Sequence, residues 1–516
     1  MASPRGSCYF RPTLTSLVLF CATSMAAADA PTASRATSIR VGSNGSIVRV
    51  HRGSSAPAVT AGAAPSYPFP RPRLSGFSPL VAVTTSDRRR SVFEDDPYSH
   101  DLQSSYVGSP LHAPASQNIV VGFLDSGSAV DLFAGSSTVT LGVTGSRLTD
   151  NTMELGGVGG SFFAPVSQPI GVFLAGLGSV DEGGLLNLND VVGHTNVSVV
   201  AAPPIECGNG EAVAALIGMP FLSFFNSVIR VDTPRHATVS GAEYIAPDVQ
   251  IQDVLDPLPA YSHVFAMEFG ALLPALGAAF MQDLEDPLNV VPGSATSLSL
   301  IPGSFVTGGA FFVDVQVLQG EPGPLNPVQT LRMMVDTGAQ SSIISGAAAA
   351  NLNLPFVPDF EVEACGVGGL QTGIPGYYVD YIQINAFGGP LQWSRAPFIM
   401  LDLPSPEGGT LDGILGMNFF WDRNVIFEPS LILSSFFHVS DPIPVAFGDS
   451  DVDFHVDAAD ASFFFACMTG PASTGVSPEC DHLDADFDGS IDLGDLAKFQ
   501  NCFSGSAQPA DPNCAD

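Results

Sequence analysis

The chain has 516 residues, 45% of them hydrophobic, and a formal net charge of −33. This length suffices for two or three domains, and 53 glycines and 42 prolines beside few charged residues favour short strands and turns. The charge is uneven, with +9 over residues 1–90, −29 over residues 91–448 and −13 over residues 449–516. The strong negative charge of residues 91–448 argues against binding to nucleic acid or to anionic membranes.

The first 28 residues have the features of a secretory signal peptide. Arg5 and Arg11 precede an apolar run from Leu14 to Cys21, and cleavage after Ala28 fits the A-x-A pattern. The run is too short to span a bilayer, and no later stretch is long and apolar enough. We therefore expect a secreted protein, extracellular or periplasmic, in a location that permits disulfides. An uncleaved N-terminal anchor is the alternative.

Residues 29–95 are rich in alanine, serine, proline and glycine, with scattered arginines. This composition predicts a low-complexity linker or pro-segment without a hydrophobic core. The arginine triplet at residues 88–90 is either a processing site or a solvated basic run. Whether a pro-segment must be removed stays open at this point.

Between residues 96 and 440, short apolar runs alternate with glycine, proline and asparagine turns, which is typical of an all-β fold. Three motifs recur here in the same order: an apolar run ending in Asp-Ser/Thr-Gly, a Gly-Val-Gly-Gly cluster, and an apolar-apolar-Gly triplet. The aspartate precedes the cluster by 32 and 30 residues, and the glycine of the triplet by 93 and 80 residues. The repeat predicts two lobes of one fold, residues 96–240 and 306–446, joined by residues 241–305.

Each repeat places an aspartate, Asp125 or Asp336, after an apolar strand and before a hydroxyl residue and a glycine. The glycines allow close approach of the backbone, and the hydroxyls of Ser126 and Thr337 can hydrogen-bond the opposite loop. If the lobes pack about a two-fold axis, the carboxyls meet and share one proton, because two adjacent carboxylates cannot both ionise. One carboxyl then acts as base on a water while the other polarises a carbonyl, and either residue can take either role.

These motifs resemble those of the aspartic peptidases, or aspartic proteases, of the pepsin and retropepsin superfamily. The matching segments are FLDSGS at residues 123–128, MVDTGA at 334–339, LIG at 216–218 and ILG at 414–416. The resemblance implies an all-β fold of two homologous lobes, each a double-ψ β-barrel, around a central cleft. It assigns peptide hydrolysis without a cofactor to Asp125, Ser126, Gly127, Asp336, Thr337 and Gly338.

The Gly-Val-Gly-Gly clusters lie where a peptidase of this kind would carry its flaps. They are similar to the glycine-rich flaps of retropepsins, and no tyrosine clearly matches the flap of pepsin. Glycines suit a mobile lid that closes over substrate, and a simple hairpin turn is the alternative. The flap candidates are Gly157, Val158, Gly159, Gly160, Gly366, Val367, Gly368 and Gly369.

Other chemistries have weaker support in the sequence. The nine histidines lack the spacing of a zinc site, and Ser126 and Ser128 lack the G-x-S-x-G context of a serine hydrolase. Cys207 and Cys365 fall in different lobes, where they are either free and buried or paired with each other.

Residues 447–516 contain a second repeat, DSDVDFHVDAAD at 449–460 and DADFDGSIDLGD at 484–495, offset by 35 residues. The second copy has the spacing of a twelve-residue calcium loop of the EF-hand type. In the first copy Phe454 replaces the glycine of position 6, which leaves its occupancy open. A solvated charge run is the alternative. The predicted Ca²⁺ ligands are Asp484, Asp486, Asp488, Ser490, Asp492 and Asp495 in one loop, and Asp449, Asp451, Asp453 and Asp460 in the other.

The two loops together resemble a type I dockerin, because aspartate stands at position 12 of both. This implies a small α-helical module that docks to a cohesin-like or cell-surface partner, with a stabilising cap as the alternative. The spacing favours pairing of Cys467 with Cys480 and of Cys502 with Cys514, with two other connectivities open. The 14 acidic residues after residue 448, against one lysine, predict folding coupled to calcium.

The sequence therefore predicts a secreted, monomeric aspartic endopeptidase with a calcium-binding tail, acting on protein or peptide substrates. We expect an acidic pH optimum, because one carboxyl must hold a proton. The alternative function is a non-catalytic extracellular scaffold that binds peptides between peptidase-like lobes. Both aspartates are intact, so the sequence does not support inactivation.

Overall fold

The computed structural model describes residues 49–51, 67–86, 118–167, 170–187, 190–207, 212–254, 256–270, 309–324, 326–429, 434–471 and 475–515. The predicted signal peptide (residues 1–28) and the arginine triplet (residues 88–90) lie outside the described residues, as do residues 271–308 of the predicted connection.

Most regular structure is β-sheet, which confirms the prediction of a mainly β chain. The strands are β1 (Arg49–His51), β2 (Leu80–Ser86), β3 (Val120–Leu124), β4 (Leu132–Ala134), β5 (Leu148–Gly157), β6 (Gly160–Ser167), β7 (Ile170–Gly176), β8 (Val192–Val197), β9 (Val200–Ala202), β10 (Ile205–Glu206), β11 (Ala212–Val213), β12 (Ala215–Ile217), β13 (Phe225–Val239), β14 (Ala242–Asp253), β15 (His263–Gly270), β16 (Ala310–Leu318), β17 (Gln329–Val335), β18 (Ile343–Ile344), β19 (Phe360–Gly366), β20 (Gly369–Ile384), β21 (Leu391–Met400), β22 (Gly413–Leu415), β23 (Val425–Glu428) and β24 (Ser435–Val439). The α-helices of the described residues are α1 (Ser136–Thr140), α2 (Met219–Leu222), α3 (Gly346–Asn351), α4 (Ala458–Cys467) and α5 (Leu493–Cys502).

We call residues 67–240 the first half and residues 309–446 the second half. Nine strands of the first half form one sheet in the order β5-β6-β9-β4-β12-β3-β2-β7-β8. β7 is buried along its whole length, so its sequence is apolar throughout rather than alternating. β2 lies inside this sheet, between β3 and β7. Residues 80–86 therefore belong to the core, which corrects the expectation that residues 29–95 lack one.

Residues 67–78 lie against the second half, although they precede β2 in the chain. The Ser341 hydroxyl donates to the carbonyl of Leu74 at 2.7 Å, and the Leu74 side chain is buried. The N–H of Gly76 donates to the carbonyl of Gln340 at 2.8 Å. Apolar burial and buried hydrogen bonds thus fix this part of the predicted linker to the fold.

The second sheet has 13 strands in the order β1-β19-β20-β21-β18-β22-β17-β16-β15-β24-β23-β13-β14. The predicted connection, residues 241–305, contributes β14 and β15 to it. Since β13 belongs to the first half and β16 to the second, one sheet joins both. The largest core cluster likewise takes side chains from both halves, among them Phe133, Phe221, Phe311 and Phe427.

Each half contains the same crossing of three strands. β12 runs parallel to β3 and antiparallel to β4, and β22 is related to β17 and β18 in the same way. The crossing strands receive the backbone N–H groups of the two aspartates: Asp125 donates to Ile217 at 2.9 Å and Asp336 to Leu415 at 3.1 Å. The apolar-apolar-Gly triplets therefore support the aspartate loops through these two hydrogen bonds.

The tail has a small core of its own around α4 and α5, with Val456, Phe464, Leu483, Ile491 and Phe499 buried. Each helix starts at an aspartate N-cap with a capping box. Disulfides join Cys467 to Cys480 and Cys502 to Cys514, which confirms the favoured pairings. Among the described residues, no helix combines the length and the apolar character that a bilayer span needs.

Candidate functional site

The loops that follow β3 and β17 are joined by reciprocal hydrogen bonds of their hydroxyl residues. The Ser126 hydroxyl donates to the Val335 carbonyl at 2.8 Å and accepts the N–H of Thr337 at 3.0 Å. The Thr337 hydroxyl donates to the Leu124 carbonyl at 2.7 Å and accepts the N–H of Ser126 at 3.1 Å. Both hydroxyl residues are buried, so these four bonds fix the loops against each other in a two-fold arrangement.

The two carboxyls lie next to each other at this junction. A Cβ atom on Gly127 would be 2.4 Å from Asp336 Oδ2, and one on Gly338 would be 2.6 Å from Asp125 Cγ. Each loop passes so close to the opposite carboxyl that only glycine fits, which is the physical reason for glycine in the motif. The structure thus brings together the six residues that the sequence assigned to the catalytic site, Asp125, Ser126, Gly127, Asp336, Thr337 and Gly338.

The surroundings of the carboxyl pair favour one proton on it. Asp125 is partly exposed, yet desolvation raises its pKa well above the usual range. The charge of Asp336 and a hydrogen bond with its carboxyl raise the pKa further, and the backbone N–H groups of Gly127 and Ser128 oppose the rise only in part. Burial also raises the pKa of Asp336, but hydrogen bonds from Asp125 and from backbone N–H groups oppose this rise. Two of these donors, Gly338 and Ala339, lie 2.8 and 3.1 Å from Asp336 Oδ1. The negative charge is therefore better stabilised on Asp336 and the proton on Asp125.

One oxygen of the pair is left without a partner. Asp125 Oδ1 is buried and forms no hydrogen bond with the residues that the structure describes. A buried oxygen in this state is costly unless another group bonds to it. It is therefore an open hydrogen-bonding position at the carboxyl pair.

The Gly-Val-Gly-Gly clusters form the tips of two hairpins, the first hairpin from β5 and β6 and the second hairpin from β19 and β20. The tips touch each other. The N–H of Gly368 donates to the Val158 carbonyl at 2.8 Å. A Cβ on Gly159 would be 2.4 Å from the carbonyl oxygen of Gly369, so the absence of side chains lets the two backbones meet.

Each hairpin tip also packs on the opposite half. Val158 of the first hairpin packs against a core cluster of the second half that contains Met334, two residues before Asp336. Val367 of the second hairpin packs against a cluster of the first half that contains Phe123, two residues before Asp125. The eight flap candidates thus lie together, in contact with cores that also support the aspartate strands.

A disulfide joins Cys207 to Cys365, so the structure selects one of the two alternatives that the sequence left open. Both cysteines are buried. Cys365 lies in β19 directly before Gly366, and Cys207 follows β10 of the first half. The second hairpin is therefore bonded to the first half near its tip. The first hairpin has Gly156 at the position of Cys365 and has no such bond.

Two polar residues that support the crossing strands are not among those predicted from the sequence. Asp131 and Ser342 each lie six residues after an aspartate and are buried. Asp131 accepts the N–H of Gly218 at 2.7 Å, and Ser342 accepts that of Gly416 at 2.9 Å. The available signal was a polar residue at the same offset in both repeats, inside an otherwise apolar run.

The two acidic loops of the tail have matching hydrogen bonds. Asp495 accepts the N–H groups of loop positions 2 and 9 at 2.8 and 2.9 Å, and Asp460 accepts those of the same positions at 2.7 and 2.9 Å. At position 6 Phe454 has φ of 69° where Gly489 has 85°. Phe454 thus adopts the left-handed conformation that glycine provides in the second loop, at some cost in strain. Carboxylate oxygens within 4.8 Å of one another come from Asp449, Asp451 and Asp453 in one loop and from Asp484, Asp486 and Asp488 in the other.

The first loop concentrates the negative charge of several carboxylates. Burial, and then the charge of Asp460, raises the pKa values of Asp449 and Asp451 to about 7. Asp449 Oδ1 is buried without a partner among the described residues. Converging carboxylate oxygens of this kind fit a hard cation such as Ca²⁺, and the second loop offers the same donor set.

Arg73 attaches the first loop to the rest of the fold. Its guanidinium donates to the carbonyls of Asp449 and Ser450, both at 2.9 Å. It also lies 3.8 Å from the ring centroid of Trp421, as a cation–π contact. Burial lowers the pKa of Arg73 to about 10. A residue of the predicted linker thus holds the tail against the second half.

Comparison with known proteins gives one family match. A model of the aspartyl protease family matches residues 318–419, which include Asp336, the second Gly-Val-Gly-Gly cluster and Gly416. Among solved structures, the aspartic proteinase from Irpex lacteus is similar with 11% sequence identity and a TM-score of 0.33, over 71% of this chain and 98% of that chain. No curated protein matches. Over the matched segment, this chain is similar to aspartyl proteases.

Proposed function

We propose that this chain is an aspartic-type endopeptidase with two homologous lobes, which hydrolyses peptide bonds with Asp125 and Asp336. The observation that carries the proposal is the junction of four hydrogen bonds through Ser126 and Thr337, which holds the two carboxyls side by side. The match of residues 318–419 to aspartyl proteases supports it for the part of the chain around Asp336.

In this mechanism Asp336 enters as the carboxylate and Asp125 as the acid. Asp336 takes a proton from a water molecule, whose oxygen attacks the carbonyl carbon of the scissile bond, while Asp125 gives its proton to the carbonyl oxygen. When the tetrahedral intermediate collapses, Asp336 passes a proton to the leaving nitrogen and Asp125 recovers one from the intermediate. The N–H donors on Asp336 favour its role as the carboxylate in the free enzyme.

The two hairpins serve as flaps. Their glycine tips meet and their valines pack on the opposite half, so a substrate enters only after the tips separate. Closure then excludes bulk water and strengthens the electrostatic interactions at the carboxyl pair. The substrates in this proposal are proteins or peptides.

The tail acts in this proposal as a dockerin-like module of EF-hand type that binds Ca²⁺ and docks to a cohesin-like or cell-surface partner. The carboxylates of the two loops would hold the ion, whose charge would offset their mutual repulsion and stabilise the tail. Three disulfides among the described residues favour a secreted location, in agreement with the predicted signal peptide. The ligands are Asp484, Asp486, Asp488, Ser490, Asp492 and Asp495 for one ion and Asp449, Asp451, Asp453 and Asp460 for the other.

The first test is cleavage of denatured casein between about pH 3 and pH 8 by wild type and Asp336→Asn. The proposal expects cleavage in the acid range that the substitution abolishes, because the asparagine amide cannot accept a proton from water. Equal cleavage by both proteins would refute the role of the pair. If neither cleaves, the assay is repeated with a chain that starts at Tyr67. Continued inactivity of that chain, together with binding of peptides, would favour the non-catalytic alternative.

A further inference from the structure

Asp131 is a buried carboxyl that the proposed mechanism does not use. It directly precedes β4 and has no exposed surface. One oxygen, Oδ1, accepts the N–H of Gly218 at 2.7 Å. The other, Oδ2, is buried without a hydrogen-bond partner among the described residues. One hydrogen bond offsets little of the cost of burying a carboxylate charge completely, so the neutral acid is the form that fits.

In the second half, the N–H of the corresponding glycine is bonded by a side chain that does not titrate. Ser342 accepts the N–H of Gly416 at 2.9 Å and donates its hydroxyl proton to Asn418 Oδ1 at 2.7 Å. In the first half, Pro220 stands at the position of Asn418, two residues after the glycine of the triplet. Pro220 offers no side-chain partner, which accounts for the unpaired oxygen of Asp131.

The bond from Asp131 acts on the loop that carries Asp125. The N–H of Asp125 donates to the Ile217 carbonyl at 2.9 Å, directly before Gly218. A Cβ on Gly218 would lie 2.2 Å from the Val130 carbonyl oxygen, so the backbone at Gly218 lies against the residue that directly precedes Asp131. Asp131 therefore holds the end of the crossing strand against the aspartate loop.

We propose that Asp131 is a positioning residue that supports Asp125 only as a neutral acid, so that its ionisation sets the alkaline limit of catalysis. The inference rests on the proposed peptidase function for its kinetic part, and on the geometry alone for its structural part. Below this limit the bond to Gly218 is kept. Above it, the charged group draws in water and the turn at Gly218 opens.

The surroundings of Asp131 support this behaviour. Burial raises the pKa of Asp131 well above its usual range, opposed only by the N–H of Gly218. The elements around it, β3, β4, β9, β12 and α2, contain no titratable or charged residue, and the nearest such group along the chain is Asp125. Since the folded state keeps the proton more tightly than the unfolded chain, this group stabilises the fold below the unfolded pKa. That stabilisation is lost as pH rises towards the folded pKa.

The test compares wild type with Asp131→Asn over the pH range, by casein cleavage with kcat and KM determined separately. The asparagine side chain keeps an oxygen for Gly218 and cannot ionise, so we expect the alkaline limb of kcat to move up by about one pH unit or more with KM unchanged. An alkaline limb that coincides with that of wild type overturns the proposal, because the carboxyl pair alone would then set it. The double variant D131S/P220N, which copies the second half, must shift the limb in the same direction.

A second measurement does not depend on catalysis. Hydrogen exchange of the Asp125 and Gly218 amides is followed in the full chain at acid and alkaline pH. We expect protection to fall roughly tenfold or more with rising pH in wild type, beyond the intrinsic pH dependence of exchange, and to hold in Asp131→Asn. Equal loss in both proteins overturns the proposal even if the wild type is active. The expected difference in a protein without peptidase activity would refute the proposed function and leave the structural role of Asp131 standing.

Discussion

Replacing Cys207 and Cys365 by alanine should release the second hairpin and cost the fold several kcal/mol. The two cysteines are 158 residues apart in sequence, and the chain-entropy relation for a loop of this length gives about 5 kcal/mol at 25 °C. Native disulfides commonly contribute about 2–5 kcal/mol, so we expect a loss within this range. The tail offers a matched control in Cys502 and Cys514, whose separation of 12 residues corresponds to about 3 kcal/mol.

Urea unfolding measures the stability, and hydrogen exchange measures the opening of each hairpin. In wild type, the amides of β19 near Cys365 should be better protected than those of the first hairpin, because among the described residues only the second hairpin has a disulfide to the opposite half. The double alanine variant should lose this difference, whereas C502A/C514A should keep it. Equal protection of the two hairpins in wild type, or unchanged protection of β19 in the variant, would refute the reasoning.

Gly127→Ala should abolish casein cleavage, because its Cβ would lie 2.4 Å from Asp336 Oδ2. The control Gly323→Ala places its Cβ more than 4 Å from any atom beyond its chain neighbours and should cleave normally. Wild-type cleavage by Gly127→Ala would contradict the close contact between Gly127 and Asp336. In Asp131→Asn, activity should still fall as pH rises through the raised pKa of the carboxyl pair, where the shared proton is lost. Full activity of wild type at about pH 8 with none at about pH 5 would count against the mechanism. Thr337→Val removes two buried hydrogen bonds and should lower the free energy of unfolding, measured in urea, by about 1–3 kcal/mol. An unchanged midpoint of the urea transition would show that these hydrogen bonds are dispensable for stability. Calorimetric titration of the full chain should detect calcium binding, and removal of calcium by a chelator should lower the melting temperature. The absence of any heat of binding at millimolar calcium would exclude calcium from the acidic loops.

The aspartate loops could be predicted from sequence because their pattern is local. An apolar strand, a carboxyl, a hydroxyl and a glycine follow one another, and the repeat suggested that the two copies meet. Residues 80–86 have the composition of a strand. Their place in the core could not be predicted, because their partner strands β3 and β7 begin 40 and 90 residues later. The pairing of Cys207 with Cys365 likewise depends on which surfaces meet in the fold. Sequence spacing says nothing about this for cysteines so far apart.

The differences between the two halves matter more for the proposed chemistry than their similarity. In a symmetric pair, either aspartate could be the base. Here Asp336 Oδ1 accepts two N–H groups, whereas Asp125 Oδ1 has no partner among the described residues. The strand crossing beside Asp336 is supported by Ser342, which does not titrate, and that beside Asp125 by the carboxyl of Asp131. In the proposed mechanism, joining both halves in one chain thus allows each aspartate a fixed role, with Asp336 as the base and Asp125 as the acid whose proposed support by Asp131 depends on pH.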